Sequence, residues 1–332
     1  VIHHPNYLPS EFPPEIVVRL QQLPADLQRK YLSWRLRNFL YNIYFSGDQL
    51  VNAPANASSA SLPPPLDLQN NTMGGLNLEF YEQLHNGNRG EGYFDAGWWV
   101  LRQERNGSLA VRKNNLTLHI ERHHHLRPSE QWATVGDRVA IHLPRNCLET
   151  GLYIAVGNAG PAPDQGSTVE IYFNFNAVAA IAVMVNLTSQ LNGMSIPFSF
   201  KVADDPSAYG RYNSGTLRLE SIYYESVRRV LQPLYQEECS QFGRIVPLFT
   251  KFLAPGLGLA ESPGRELAGP KDFGWHRCQL LANALLSAED NGDNSPEGRM
   301  DAIHQHFSRL GIAWQRPYLN ANSEDIYIPV VL

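Results

Sequence analysis

The sequence predicts an α+β fold, an antiparallel-rich sheet core with an N-terminal helical segment and a helical C-terminal third. Three observations point there. From Gly97 to about residue 175, short runs alternate apolar and polar residues and are separated by Asn-Gly and Asn-Asn turns. On either side of that region apolar residues recur at helical spacing. The strands come as a run followed by helices, which argues against a doubly wound parallel sheet.

The elements follow in order. In "LPADLQRKYLSWRLRNFLYNIYFSG", Leu32, Leu36, Phe39, Leu40 and Ile43 share one helical face, and Gly47 ends the helix. Residues 51–72 are rich in Pro, Ala, Ser and Asn without periodicity, so they read as a flexible linker or loop. That divides the chain into a helical segment over 1–50 and an α+β body over 73–332. A short helix is expected over 76–85. In "GWWVLRQERNGSLAVRKNNLTLHIE", Asn106-Gly107 and Asn114-Asn115 mark two hairpin turns. Strands follow at "DRVAIHL", "LYIAVG" and "TVEIYFNF", then a helix over 177–191, a strand around Lys201 and a strand over 215–220. A long helix with Pro233 inside it is expected over 221–242, and further helices over 272–288 and 295–309. No internal repeat is visible.

Composition narrows the function classes. A chain of 332 residues with 43% hydrophobic side chains can bury a large core. Its formal charge of -5 and pI near 6.1 provide no basic field, and no arginine cluster is dense enough to suggest nucleic acid. The longest apolar run, "AVAAIAVMV", is about half of a membrane span, so no membrane partner is expected. Cys147, Cys239 and Cys278 are odd in number and far apart, and no leader is visible, which together suggest a reducing, cytoplasmic setting. In that setting the Asn-x-Ser/Thr triplets at Asn56, Asn70, Asn106, Asn115 and Asn186 read as chance matches.

The residues that carry chemistry are mostly cations in apolar surroundings. In "IPFSFKVADDPSAYGRY", strand alternation puts Phe198, Phe200 and Val202 on one face and Ser199, Lys201 and Ala203 on the other. The turn "DDPSAYG" folds the chain back and returns Arg211. Arg138, Lys251 and Arg277 are three more such cations. Each must pair with a carboxylate or bind an anion. "DFGWHRC" reads as a helix start, with Asp272 as N-cap and His276 and Arg277 in a first turn suited to an anion. Its DFG triplet lacks the other kinase elements. "APGLGLAESPG" lacks the ending of a phosphate-binding loop and reads as a loop or lid. "HIERHHHL" reads as a solvated turn, because adjacent histidines diverge and nothing completes a zinc set. His119 alone, on an alternating strand, is placed to reach a cleft.

The pieces "QRKYLSWRLRNFLYNIYFSG", "IPFSFKVADDPSAYGRYNSGTL", "VPLFTKFLAPGLGLAE", "DFGWHRCQLLANAL" and "RPYLNANSEDIY" occur in that order. As a set they resemble the HopA-type effector-like family, particularly its cyanobacterial members, over nearly the whole chain. The family is named for a type III secreted effector of plant pathogens, and other members are the lyase components of class V lanthipeptide synthetases. It is distantly similar to phosphothreonine lyases, which are metal-free α+β enzymes. The resemblance implies elimination of phosphate from phosphoserine or phosphothreonine in a precursor peptide, beside a separate kinase and without a cofactor. It assigns Lys201 as the base at Cα, and Arg211 and Arg277 as phosphate ligands; Lys251 and Arg138 remain further candidate phosphate-binding cations from their apolar surroundings alone. Phosphothreonine lyases place a histidine acid on an upstream strand, where "EIYFNF" offers Tyr172 and Asn174. The acid is therefore open among His119, His142 and Tyr172, the alternative being that a phosphate held by arginines leaves without one. A silent phosphopeptide-binding or scaffold protein, or a secreted effector acting on a host protein, is the alternative reading.

Overall fold

The computed structural model describes residues 14–47, 77–163, 167–263 and 272–330, so the linker expected over 51–72 lies outside the described residues. Helix α1 spans Pro14–Gln21 and α2 spans Ala25–Leu40. The chain then winds through a π-helical turn, Tyr41–Ser46, and stops at Gly47, whose φ of 70° is left-handed. A side chain at Gly47 would meet the Tyr212 ring at 2.6 Å, so conformation and close approach both require glycine. Helix α3, Leu78–Gly87, is capped by Asn77, two residues later than the spacing predicts.

Among the described residues, eleven strands form two antiparallel sheets. The smaller contains β1 (Tyr93–Gln103), β2 (Leu109–Lys113), β3 (Leu116–Ile120) and β4 (Arg138–Leu143), ordered β3-β2-β1-β4. Both expected hairpin turns are present, with Gly107 and Asn114 at positive φ. The histidine run lies in and beside the short turn α4, Arg122–His125, and His123 and His124 are exposed there. The larger sheet contains β5 (Asn146–Glu149), β6 (Leu152–Val156), β7 (Thr168–Phe173), β8 (Phe198–Ala203), β9 (Gly215–Glu220), β10 (Lys251–Ala254) and β11 (Leu257–Glu261). Its order is β10-β11-β7-β9-β8-β6-β5. The remaining long helices are α5 (Ala177–Gly193), α6 (Tyr224–Glu238), α7 (Phe273–Asp290) and α8 (Pro296–Arg309).

Helices cover the large sheet on both sides. On one face Phe198, Phe200, Leu217, Ile171 and Phe173 pack against Val183, Met184 and Leu187 of α5 and Val227 and Leu231 of α6. On the other, Tyr172 and Ala260 pack against Leu40, Phe45, Phe273 and Ala282, with Ile303 and Phe307 of α8 behind them. Burying each such phenylalanine contributes about 1.5–3 kcal/mol. All six residues of β7 are buried because that strand lies between both layers. Helix α2 lies along α7, held by Ser33 to Asn283 at 2.6 Å and Arg37 to Gln279 at 3.0 Å, with the Arg37 guanidinium 4.2 Å from the Trp275 ring centroid.

Two expectations need correction. The described part of "APGLGLAESPG", 254–263, holds a tight turn and a strand: β11 is buried throughout, paired with β10 on one side and β7 on the other. A doubly buried strand lacks alternation, so its glycines read as loop. The helix expected over 221–242 is shorter, with 3-10 turns at Ser221–Tyr223 and Cys239–Gln241 on either side of α6, which carries Pro233 inside it.

Candidate active site on the polar face of the sheet

Strand register decides which side chains share a face. Lys201 of β8 opposes Thr216 of β9, Thr216 opposes Tyr172 of β7, and Tyr172 opposes Gly258 of β11. Directly opposed residues of an antiparallel ladder project to the same side. Lys201 and Tyr172 are therefore two strands apart in one row, about 9–10 Å at Cα. Two residues along, Ser199, Arg218 and Glu170 form a second row on that side. Phe200, Leu217 and Ile171, between the rows, point into the apolar core.

The lysine is open. Its side chain is 45% exposed, and Nζ lies 3.8 Å from Glu149 on β5, itself 60% exposed. Such a long surface pair contributes about 0–1 kcal/mol, too little to hold the amine against another partner. Tyr172 is sealed: its hydroxyl donates to Glu170 in a short contact, and Phe45 meets its ring edge-on at 5.3 Å. Ser262 donates to the other Glu170 oxygen at 2.9 Å. Burial, then the negative charges of Glu170 and Asp272, hold the Tyr172 phenol well above its ordinary pKa.

The N-terminus of α7 and the π turn wall this face. Asp272 caps α7 by accepting from the Trp275 amide at 3.0 Å, and its second oxygen accepts from the Tyr41 hydroxyl at 3.3 Å. Asn213 donates to the Tyr41 oxygen at 3.3 Å. Gly274 allows the approach, since a side chain there would meet the Phe45 ring at 2.5 Å. The Asp272 carboxyl is open to solvent, yet the protein around it and the Glu170 charge push its pKa up to about 6. The hydrogen bonds from Trp275 and Tyr41 and the positive field of Lys201 oppose that shift.

Arg211 lies in the loop joining β8 to β9. The loop is closed by the Arg211 amide donating to Ser214 Oγ at 3.1 Å, and the Tyr212 amide donates to the Ser46 carbonyl at 2.8 Å, strapping it to the π turn. Lys201 and Tyr172 thus share one face of the sheet, and the Arg211 loop leaves the end of the β8–β9 hairpin nearest Lys201. Asn174, just past the end of β7, braces a loop: its side chain donates to the Ile245 carbonyl at 2.9 Å.

The other candidates lie elsewhere. His119 sits on β3, 3.5 Å from Glu104, and His142 on β4 meets Phe94 edge-on at 5.1 Å. Both belong to the small sheet, as does Arg138, whose guanidinium lies 4.3 Å from the Trp99 ring centroid. Lys251 opposes Leu259, which opposes Ile171, so it is on the apolar side of the large sheet. There Nζ bonds both Asp325 oxygens at 2.7 Å. Arg277 is fully buried and turns toward the C-terminal segment, donating to the carbonyls of Pro317 at 2.8 Å and Leu319 at 2.9 Å. Its Nη1 is 2.6 Å from His276 Nδ1. Burial lowers the pKa of Arg277 to about 10, and that of His276 to about 4 with help from the Arg277 charge. The Arg277 guanidinium is thus bonded within the protein, by two main-chain oxygens and the His276 ring.

Sequence reasoning passed over Glu170, Tyr41 and Asn213, and saw Asp272 only as a cap. Glu170 had a signal, since it shares strand parity with Tyr172. Tyr41 had none: a third aromatic at a helix end marks no chemistry.

Together these features define an α+β protein with a lysine, a phenol and a carboxylate on one face of an antiparallel sheet. The model of the HopA1 effector protein family matches residues 143–319, and the chain belongs to that family. No curated protein matches the chain. Among solved structures, the effector protein from Pseudomonas syringae pv. tomato strain DC3000 is 15% identical, with a TM-score of 0.46 over 76% of this chain and 84% of that one. The effector protein from Pseudomonas syringae pv. syringae strain 61 is 13% identical, with a TM-score of 0.45 over the same shares. Among the described residues, no helix is long and apolar enough to cross a membrane.

Proposed function

We propose that the protein is a phosphoserine or phosphothreonine lyase that eliminates phosphate from a peptide phosphorylated by a separate kinase, leaving dehydroalanine or dehydrobutyrine. The observation that carries this reading is the solvent-open Lys201 amine on the polar face of the sheet, at the same end of the β8–β9 hairpin as the Arg211 loop. Neutral, the amine removes the Cα proton of a phosphoserine whose phosphate is held by Arg211. An arginine fork matches phosphate oxygens in a way a lysine does not. Biosynthesis of a lanthipeptide-type product is the setting this chemistry fits.

The test is to incubate the protein with a phosphoserine peptide and its unphosphorylated twin, with EDTA present, and to follow mass. Loss of phosphoric acid from the phosphorylated peptide alone is expected. Arg211→Ala should weaken phosphopeptide binding by about 1.5–3 kcal/mol, the worth of a charged hydrogen bond. Unchanged affinity would remove Arg211 from the site.

A second reading, an effector that acts on a protein of another cell, is favoured by the family match. The genes beside this one discriminate: a kinase and a short precursor peptide support biosynthesis, and a secretion chaperone supports the effector.

A further inference from the structure

We propose that Asp272 and Tyr41 form the proton-donating pair of this site, with Asp272 supplying a proton through the Tyr41 hydroxyl to the oxygen that leaves with phosphate. The inference rests on the lyase reading and names an acid other than His119 and His142, which lie in the other sheet.

The hydrogen bonds describe a relay. One Asp272 oxygen is occupied by the helix cap, and the other faces Tyr41. The Tyr41 oxygen also accepts from Asn213, two residues beyond Arg211. When Asp272 carries a proton on its free oxygen, it donates to Tyr41. The Tyr41 oxygen then accepts twice, from Asp272 and Asn213, and its own hydrogen is left to donate, within the capacity of a phenol. That hydrogen leaves from the hydroxyl that bonds Asn213, beside the loop proposed to hold the phosphate. Asp272 lies within the electrostatic field of Lys201. A pKa near 6 keeps an appreciable protonated fraction at neutral pH. Tyr172 is the weaker candidate, because it is fully buried beneath Phe45 whereas Tyr41 is half-buried.

The step balances. Neutral Lys201 takes the Cα proton and becomes an ammonium, and the C–H electron pair becomes the Cα–Cβ double bond. The Cβ–O bond breaks with its electrons going to oxygen, Tyr41 protonates that oxygen, and Asp272 reprotonates Tyr41. The products are dehydroalanine, hydrogen phosphate, ionised Asp272 and protonated Lys201, and solvent returns the proton from lysine to carboxylate.

The experiment compares wild type, Asp272→Asn and Tyr41→Phe on one phosphoserine peptide, measuring elimination rate, peptide affinity and melting temperature. Asparagine caps a helix as well as aspartate does, so Asp272→Asn keeps the fold and removes only the transferable proton. Both variants should lose about 10²-fold or more in rate, the usual worth of general acid catalysis, with affinity unchanged. Asp272→Glu should recover part of the loss. Wild-type rates in Asp272→Asn would overturn this inference and leave the lyase intact, as would rate and affinity falling together, which marks a structural role. Wild type failing to eliminate would overturn both proposals.

Discussion

Two lysines sit on strands of one sheet and differ in every respect that matters for chemistry. Lys251 lies on the apolar side, 18% exposed, with both oxygens of Asp325 at 2.7 Å and the Tyr318 ring centroid 5.2 Å away. Lys201 lies on the polar side, 45% exposed, with one long contact to an exposed glutamate. In the sequence both are single cations among apolar residues. A lysine whose hydrogen bonds are filled by its own protein holds structure together, and one that is left open can exchange its partner for a substrate.

The sharpest way to break this comparison is to remove each amine. Lys201→Ala should cost about 10²–10⁴-fold or more in elimination, with the melting temperature nearly unchanged. Elimination at the wild-type rate in that variant would end its assignment as the base. Arg277→Ala reverses the pattern. It leaves the carbonyls of Pro317 and Leu319 without their donors in a buried site, so chemical denaturation should show a loss of about 3–5 kcal/mol. If instead the variant is stable and loses phosphopeptide affinity, the guanidinium reaches the site after all. Lys251→Ala should fall between, costing about 1.5–3 kcal/mol, because it removes the charged partner of Asp325 and leaves that carboxylate only the Tyr318 hydroxyl and the Tyr327 amide.

The smallest effect concerns acid. His276 titrates near 4 in the fold and near 6.5 when unfolded, so the unfolded chain takes up its proton first and stability is lost as pH falls from about 6.5 towards 4. Asp272 has the opposite sign: its folded pKa is raised to about 6, so the fold gains stability as pH falls from about 6 towards 4. His276→Asn should therefore flatten the acid limb of a stability profile, and Asp272→Asn should steepen it. Denaturant midpoints measured across that window check both, and parallel profiles for the two variants would contradict the assigned shifts.

Much of the fold was legible in the chain. Asn-Gly and Asn-Asn turns locate the hairpins of the small sheet because they favour a backbone that few other residues adopt. Helical spacing from Leu32 to Ile43 locates the N-terminal helix, and Asp272 announces the start of α7. The parity of residues 198–203 by itself decided that Lys201 faces away from Phe198 and Phe200. These are local facts, fixed by a residue and its near neighbours.

The partner of each cation was not local. Asp325 is 74 residues from Lys251, and the carbonyls that hold Arg277 are 40 and 42 residues away. The row joining Lys201 to Tyr172 through Thr216 depends on strand order β7-β9-β8, which no periodicity encodes. Tyr41 reaches Asp272 across 231 residues of chain. Alternation tells which side of a strand is greasy, and helical spacing tells which face of a helix is buried. Only the packing of sheet against helices decided which lysine stayed open and which carboxylate came to stand beside it.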